Sequence, residues 1–197
     1  MKHTFQITLI LISIFLASQI IGLTILNQYF SYDEQQEITY EELPLNIERP
    51  DVEEEFSWII IFIGILIGTI LLLLLIKLRA RYITKTWFFL AVFIGLTFAF
   101  SAFMQETFAL ILALIIAGWK IFYPNPYIHN LSEIFVYGGI AVLFHEMLSI
   151  RVAVILIIAI SIYDMIAVWK IKHMITLAKF QTEQKIFAGA MIPYNFF

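Results

Sequence analysis

The stretch AVILIIAISIYDMIAVWKIKHMITLAKF, residues 153–180, places Tyr163 and Asp164 inside a run that is otherwise apolar until Lys170. At ~1.5 Å rise per residue, Asp164 sits about 9 Å inside the basic end of that run if the segment is a helix. On insertion scales an aspartate at the centre of a membrane helix costs roughly 2.5–3.5 kcal/mol, and less toward an interface. Such a residue is tolerated when it faces other helices or a water-filled cavity, or when it is protonated. Ser161 lies three positions before it and Ala167 three after, so 161–164–167 reads as a small, polar stripe on a helix otherwise made of Ile, Val and Trp. Small residues on one face permit close helix approach or leave room for a substrate. The same dipeptide at Tyr32-Asp33 lies in a polar stretch and carries no such cost.

The rest of the chain shows that the lipid setting is general. Of 197 residues, 61% are hydrophobic and 14% charged, with a mean hydropathy of +0.90. Soluble domains carry about 25% charged residues, so this composition belongs to the membrane class. Six spans are expected, at 5–26, 57–78, 87–104, 107–123, 133–144 and 152–169, within a single membrane domain covering 1–197. Each must be helical, because an isolated strand cannot satisfy its backbone in lipid. Pro124 and Pro126 are read as ending the fourth span, and the fifth is expected to begin near Glu133. The first run continues to Leu26, which is too long for the apolar core of a cleaved signal, so it reads as an uncleaved helix. The fold class is therefore an all-α polytopic membrane protein.

Charge sets the expected orientation. With the N-terminus inside, Lys2, Lys77, Arg79, Arg81, Lys85, Lys120, Lys170, Lys172, Lys179 and Lys185 all fall on the cytoplasmic side, leaving Arg49 and Arg151 outside. Both termini are then cytoplasmic in a multi-pass protein of the cell membrane, with 170–197 as a tail. Ten of the 15 acids crowd into the external loop 27–56, where mutual repulsion favours an extended, solvated chain. A basic partner or a divalent ion could dock there, but a solvated loop is the simpler reading. The few basic residues sit at span ends, which argues against nucleic acid as a partner.

Little else carries chemistry. The chain has no cysteine, which excludes disulfides, thiolate metal sites and a cysteine nucleophile. His145-Glu146 lacks the second histidine of a zinc-protease helix, because position 149 is Ser. Gly64 and Gly68 form a G-x-x-x-G, expected to serve helix packing. Asn130-Leu131-Ser132 is a glycosylation sequon on the wrong side of the membrane. Asp164 is thus the one ionisable residue read as deep within a clean span. A single carboxylate does little alone: hydrolysis of an amide by carboxylates takes one ionised to activate water and one protonated to polarise the carbonyl, and close pairing splits their titration. No second acid in the chain is suitably placed. Proton or cation coupling in a transporter, with Asp164 as the coupling group, or a non-catalytic subunit holding membrane-spanning clients, would also use a carboxylate at this depth.

Tyr163-Asp164 followed by Val168 and the run Lys172-His173-Met174-Ile175-Thr176-Leu177-Ala178 closely resembles the end of the sixth helix in the presenilin and signal peptide peptidase family of intramembrane aspartyl proteases, nearest its archaeal presenilin homologues. Tyr123-Pro124 after a short fourth helix resembles the same family. The resemblance implies a nine-helix fold of which this chain supplies the first six. It implies that Asp164 is a catalytic aspartate, with Tyr163, Ser161 and Ala167 shaping the site, and that the substrate is a membrane-spanning peptide or protein. No metal or cofactor is implied. The family's second aspartate belongs to a Gly-x-Gly-Asp motif, which does not occur in these 197 residues, and neither does its Pro-Ala-Leu motif. A further segment or a second chain is therefore expected to complete the pair.

Overall fold

The computed structural model describes residues 5–32, 38–48, 52–186 and 188–192. Their elements are α1 (Phe5–Leu26), a short hairpin of β1 (Phe30–Tyr32) and β2 (Ile38–Tyr40), α2 (Glu54–Lys77), α3 (Arg81–Ser101), α4 (Glu106–Phe122), α5 (Pro126–Phe144), α6 (Ile150–Ile166), a π-helical turn (Ala167–Ile171) and α7 (His173–Gln184). Five helical stretches are long and apolar enough to cross a bilayer: Phe5–Leu26, Glu55–Lys77, Arg81–Ser101, Pro126–Phe144 and Ile150–Ile171. With 17 residues, α4 stands at the lower limit of a spanning length. Many hydroxyls inside these helices are satisfied locally. Ser13, Ser18, Thr24, Thr69, Thr84, Thr97 and Ser161 each donate to the carbonyl four residues back, so each polar side chain carries its own partner into an apolar setting.

The fifth helix differs from expectation. It begins at Pro126 rather than near Glu133, because a proline at the first helical position loses only an N–H that the helix leaves unpaired anyway. The Asn125 side chain accepts from the backbone N–H of Tyr127 at 2.9 Å, and its carbonyl accepts from His129 at 2.8 Å. Asn125-Pro126 is a start signal, not a continuation of the stop at Pro124. The acidic loop also differs. Strands β1 and β2 pair antiparallel, Phe30 against Tyr40, and Leu43 and Pro44 are buried. The Leu45 backbone N–H donates to Glu106 at 2.8 Å. Part of this stretch is thus paired and docked at Leu43 and Pro44. The acids Asp33, Glu34, Glu37 and Asp51, and the bases Lys2 and Arg49, lie outside the described residues.

The chain divides into two compact units. The first comprises residues 1–49, 89–143 and 188–197. Its core joins Val92, Leu96 and Phe100 of α3 to Ala109, Ala113 and Ala117 of α4 and Val136 of α5. The three alanines recur every fourth residue and are fully buried, which makes a flat seam along α4. A second cluster places Ile25, Tyr29 and Leu43 with Phe98, Ala99 and Val142, and the Tyr29 hydroxyl donates to the Phe98 carbonyl at 2.7 Å. Backbones approach most closely at two glycine pairs. A Cβ on Gly139 would overlap the Gly95 carbonyl, and one on Gly138 would lie 2.6 Å from Ile25 Cδ1 and 3.1 Å from Gly22 Cα. Close packing therefore uses these pairs and not the G-x-x-x-G of α2: a Cβ on Gly64 or Gly68 meets nothing within 4 Å.

Within the same unit, Lys120 of α4 and Glu133 of α5 are both buried and joined in a direct ion pair. His129 Nε2 lies 3.9 Å from Glu133 Oε1. Asp164 is thus not the only ionisable residue within a span. Lys120 drops out of the positive-inside bias, since its charge is neutralised inside the protein.

The second unit comprises residues 50–88 and 144–187. Here α2 packs on α6 and α7, and Val152, Leu156, Ala167 and Leu177 are buried. The Ser149 side chain caps α6 by accepting from Val152 N–H. Much of the apolar surface of α2 remains uncovered by protein, as suits a helix solvated by lipid.

Two predictions follow from this packing. Gly139→Ala should destabilise the detergent-solubilised protein by about 1–3 kcal/mol or more, as overpacking does, while Gly64→Ala should leave its thermal midpoint unchanged. Lys120→Met should cost about 3–5 kcal/mol by stranding Glu133, and the double change Lys120→Met/Glu133→Leu should recover most of that loss in the same melting assay.

Candidate functional site

Asp164 stands in the last turn of α6, and the end of that helix is unusual. The Ala167 N–H is shared between the carbonyls of Tyr163 and Asp164. The chain then widens into the π turn Ala167–Ile171 and breaks at Lys172, whose φ of 62° and ψ of 12° are left-handed. A left-handed conformation costs a non-glycine residue roughly 1–2 kcal/mol, so the packing around this turn must sustain it. Isolated π turns occur frequently at functional sites.

Tyr163 supplies part of that packing. Its ring meets Phe62 of α2 edge-on, with centroids 6.1 Å apart and planes at 89°. On the other side its hydroxyl lies 2.9 Å from His173 Nε2, at the start of α7. The two rings are 5.8 Å apart. One side chain thus pins three helices at the point where α6 ends. The hydroxyl donates when Nε2 carries no hydrogen and accepts when it does.

The stripe 161–164–167 is only partly continuous. Ser161 and Asp164 are exposed, whereas Ala167 is fully buried. The π turn begins at Ala167, so the helical register that would carry the stripe onward is broken there. Ser161 spends its hydroxyl on the Ile157 carbonyl at 2.8 Å. Among the described residues no hydrogen bond or ion pair engages the Asp164 carboxylate. It is a carboxylate on an open helix face, close in sequence to a rigid aromatic pin. An open apolar groove of about 590 Å³ follows it in the same unit, lined by Val168, Met174, Ile175, Ala178, Lys179 and Glu183, among others. Among the described residues no group of three His, Asp or Glu side chains is placed to hold a metal ion.

The buried pair Lys120–Glu133 escaped the sequence reading, and a signal for it exists. The two residues flank the Pro124-Asn125-Pro126 turn, so two helices joined there can bring them together. Starting α5 near Glu133 and not at Pro126 hid that pairing.

Along the sequence, residues 12–196 match the family model described as signal-peptide peptidase, presenilin aspartyl protease. No curated protein and no solved structure is matched. The match spans nearly the whole chain, including Tyr163, Asp164 and the basic run after them: this chain belongs to the signal-peptide peptidase and presenilin family of aspartyl proteases.

Proposed function

We propose that the chain supplies one half of an intramembrane aspartic endopeptidase, with Asp164 as one of its two catalytic carboxylates. The observation that carries this reading is an unpaired aspartate on the open face of a membrane helix, immediately followed by a π turn. A carboxylate in that setting costs free energy that a purely structural role would recover through a partner. Family membership supports the same role.

In the assembled enzyme, Asp164 shares a proton with a second carboxylate brought by another segment or chain carrying Gly-x-Gly-Asp. The ionised member takes a proton from water as it attacks the scissile carbonyl, and the protonated member donates to the carbonyl oxygen. Collapse of the tetrahedral intermediate returns a proton to the leaving amine. Tyr163, fixed by Phe62 and His173, holds the end of α6 so that the carboxylate does not drift from its partner. The break in register at Ala167 and the exposed face at Ser161 leave space beside Asp164 for a substrate backbone. The substrate is a membrane-spanning peptide or protein, and it must unwind locally, because a helical peptide bond is shielded and already hydrogen-bonded. Residues of this chain suffice for that part of the chemistry without a metal or cofactor. The protein resides in the cell membrane with both ends cytoplasmic, so that the α6 end holding Asp164 faces the cytoplasm.

Co-expressed with a chain supplying Gly-x-Gly-Asp, the protein should cleave a helical membrane reporter, and Asp164→Asn should reduce cleavage at least about 100-fold. Undiminished cleavage by Asp164→Asn would remove Asp164 from the site. Cleavage by the 197 residues alone would refute the need for a second carboxylate. The orientation has its own check in this cysteine-free chain: a cysteine at Glu42 should react with an impermeant maleimide in intact cells, and one at Lys179 only after permeabilisation.

A further inference from the structure

The start of α5 carries a constellation unrelated to Asp164. Asn130 uses both ends of its carboxamide on one residue: its Nδ2 donates to the Met191 carbonyl at 2.9 Å, and its Oδ1 accepts from the Met191 N–H at 2.7 Å. That paired exchange is what a neighbouring β-strand offers a residue. One position earlier, His129 Nε2 lies 2.8 Å from the Gly189 carbonyl. A carbonyl oxygen only accepts, so Nε2 carries the hydrogen. Three hydrogen bonds therefore grip alternate residues of a short segment, and all three go to its backbone.

The surroundings are built for this grip. His129 is buried, its own carbonyl accepts from the Ser132 hydroxyl at 2.8 Å, and Glu133, paired with Lys120, stands 3.9 Å from the ring nitrogen. On the segment's side, Gly189 has a φ of 129°, a conformation that a side chain would strain. Sequence on both sides matches the contact: an amide and an imidazole on one turn of helix, and a glycine where the backbone must bend to meet them.

We propose that the first turns of α5 form a peptide-backbone latch whose ligand is the chain's own Gly189–Met191 segment. The latch anchors the polypeptide that follows α7. Because it reads backbone and not side chains, its specificity lies in the glycine and in the alternate spacing. Because Nε2 donates in both the neutral and the charged ring, proton uptake by His129 leaves the latch closed. Lys120 and Glu133 are the charged groups around that ring, and the ion pair between them fixes the helix turn that carries it.

The test is hydrogen exchange on the detergent-solubilised chain, with tryptic cleavage after Lys185 as a second readout. The Met191 amide should exchange at least about tenfold more slowly than an unstructured amide, as expected of a hydrogen-bonded group. Asn130→Leu should abolish that protection and speed the cleavage. Gly189→Val, on the other partner and outside the helix, should do the same while α4 amides remain slow. Unprotected exchange of Met191 in the wild type, or wild-type protection in either variant, overturns the latch. Asp164→Asn should leave both readouts unchanged, so the latch and the proteolytic reading fail by separate measurements.

Discussion

In a bilayer no water is at hand to repair an unsatisfied polar atom, and this constraint shapes almost every polar residue of the chain. Most of the hydroxyls described within helices turn back to the carbonyl one turn earlier. Lys120 and Glu133, which would each be prohibitive alone, neutralise one another. Asn125 starts a helix, Ser149 caps one, and Tyr29 donates across the first unit to Phe98. Among the described residues, only the Ser101 hydroxyl is buried with no partner. Against that background the openness of Asp164 stands out, because it is a charged group without internal compensation.

The membrane class and the presence of long apolar helices were legible in the sequence because each rests on a local signal. Long apolar runs define the helices regardless of what they pack against. A carboxylate in such a run is conspicuous on energetic grounds alone. What was not legible depends on pairs of residues distant in sequence. The proline at 126 is chemically the same whether it ends a helix or begins one, and only Asn125 before it decides the matter. Two charges thirteen positions apart looked interfacial until the helices carrying them lay side by side. Glycines invited a packing role at Gly64 and Gly68, yet the close approaches occur at Gly22–Gly138 and Gly95–Gly139, where facing residues are also small. The acidic loop was judged by net charge, although Leu43 and Pro44 inside it supply enough apolar surface to dock part of it.

The alanine seam of α4 and these glycine pairs serve the same end by different means. Without a hydrophobic force between helices in lipid, association depends on close contact over length, and small residues bring backbones within dispersion range. The first unit is built in this way. In the second, Tyr163 packs between the rings of Phe62 and His173. A tyrosine can do this where an alanine cannot, since it combines a broad apolar face with one polar tip.

The π turn at Ala167–Ile171 has a further consequence for how this chain tolerates change in length. A π turn is in effect an α-helix that holds one extra residue, so removing one residue there would restore ordinary winding. Everything after it would then rotate by about 100° about the helix axis. His173 would leave Tyr163, and the groove-lining face of α7 would point elsewhere, although no side chain of the site had been altered. Substitutions in these five residues act on contacts, but a deletion acts on phase. The segment therefore behaves as a spacer whose length is as much a part of the proposed site as any side chain.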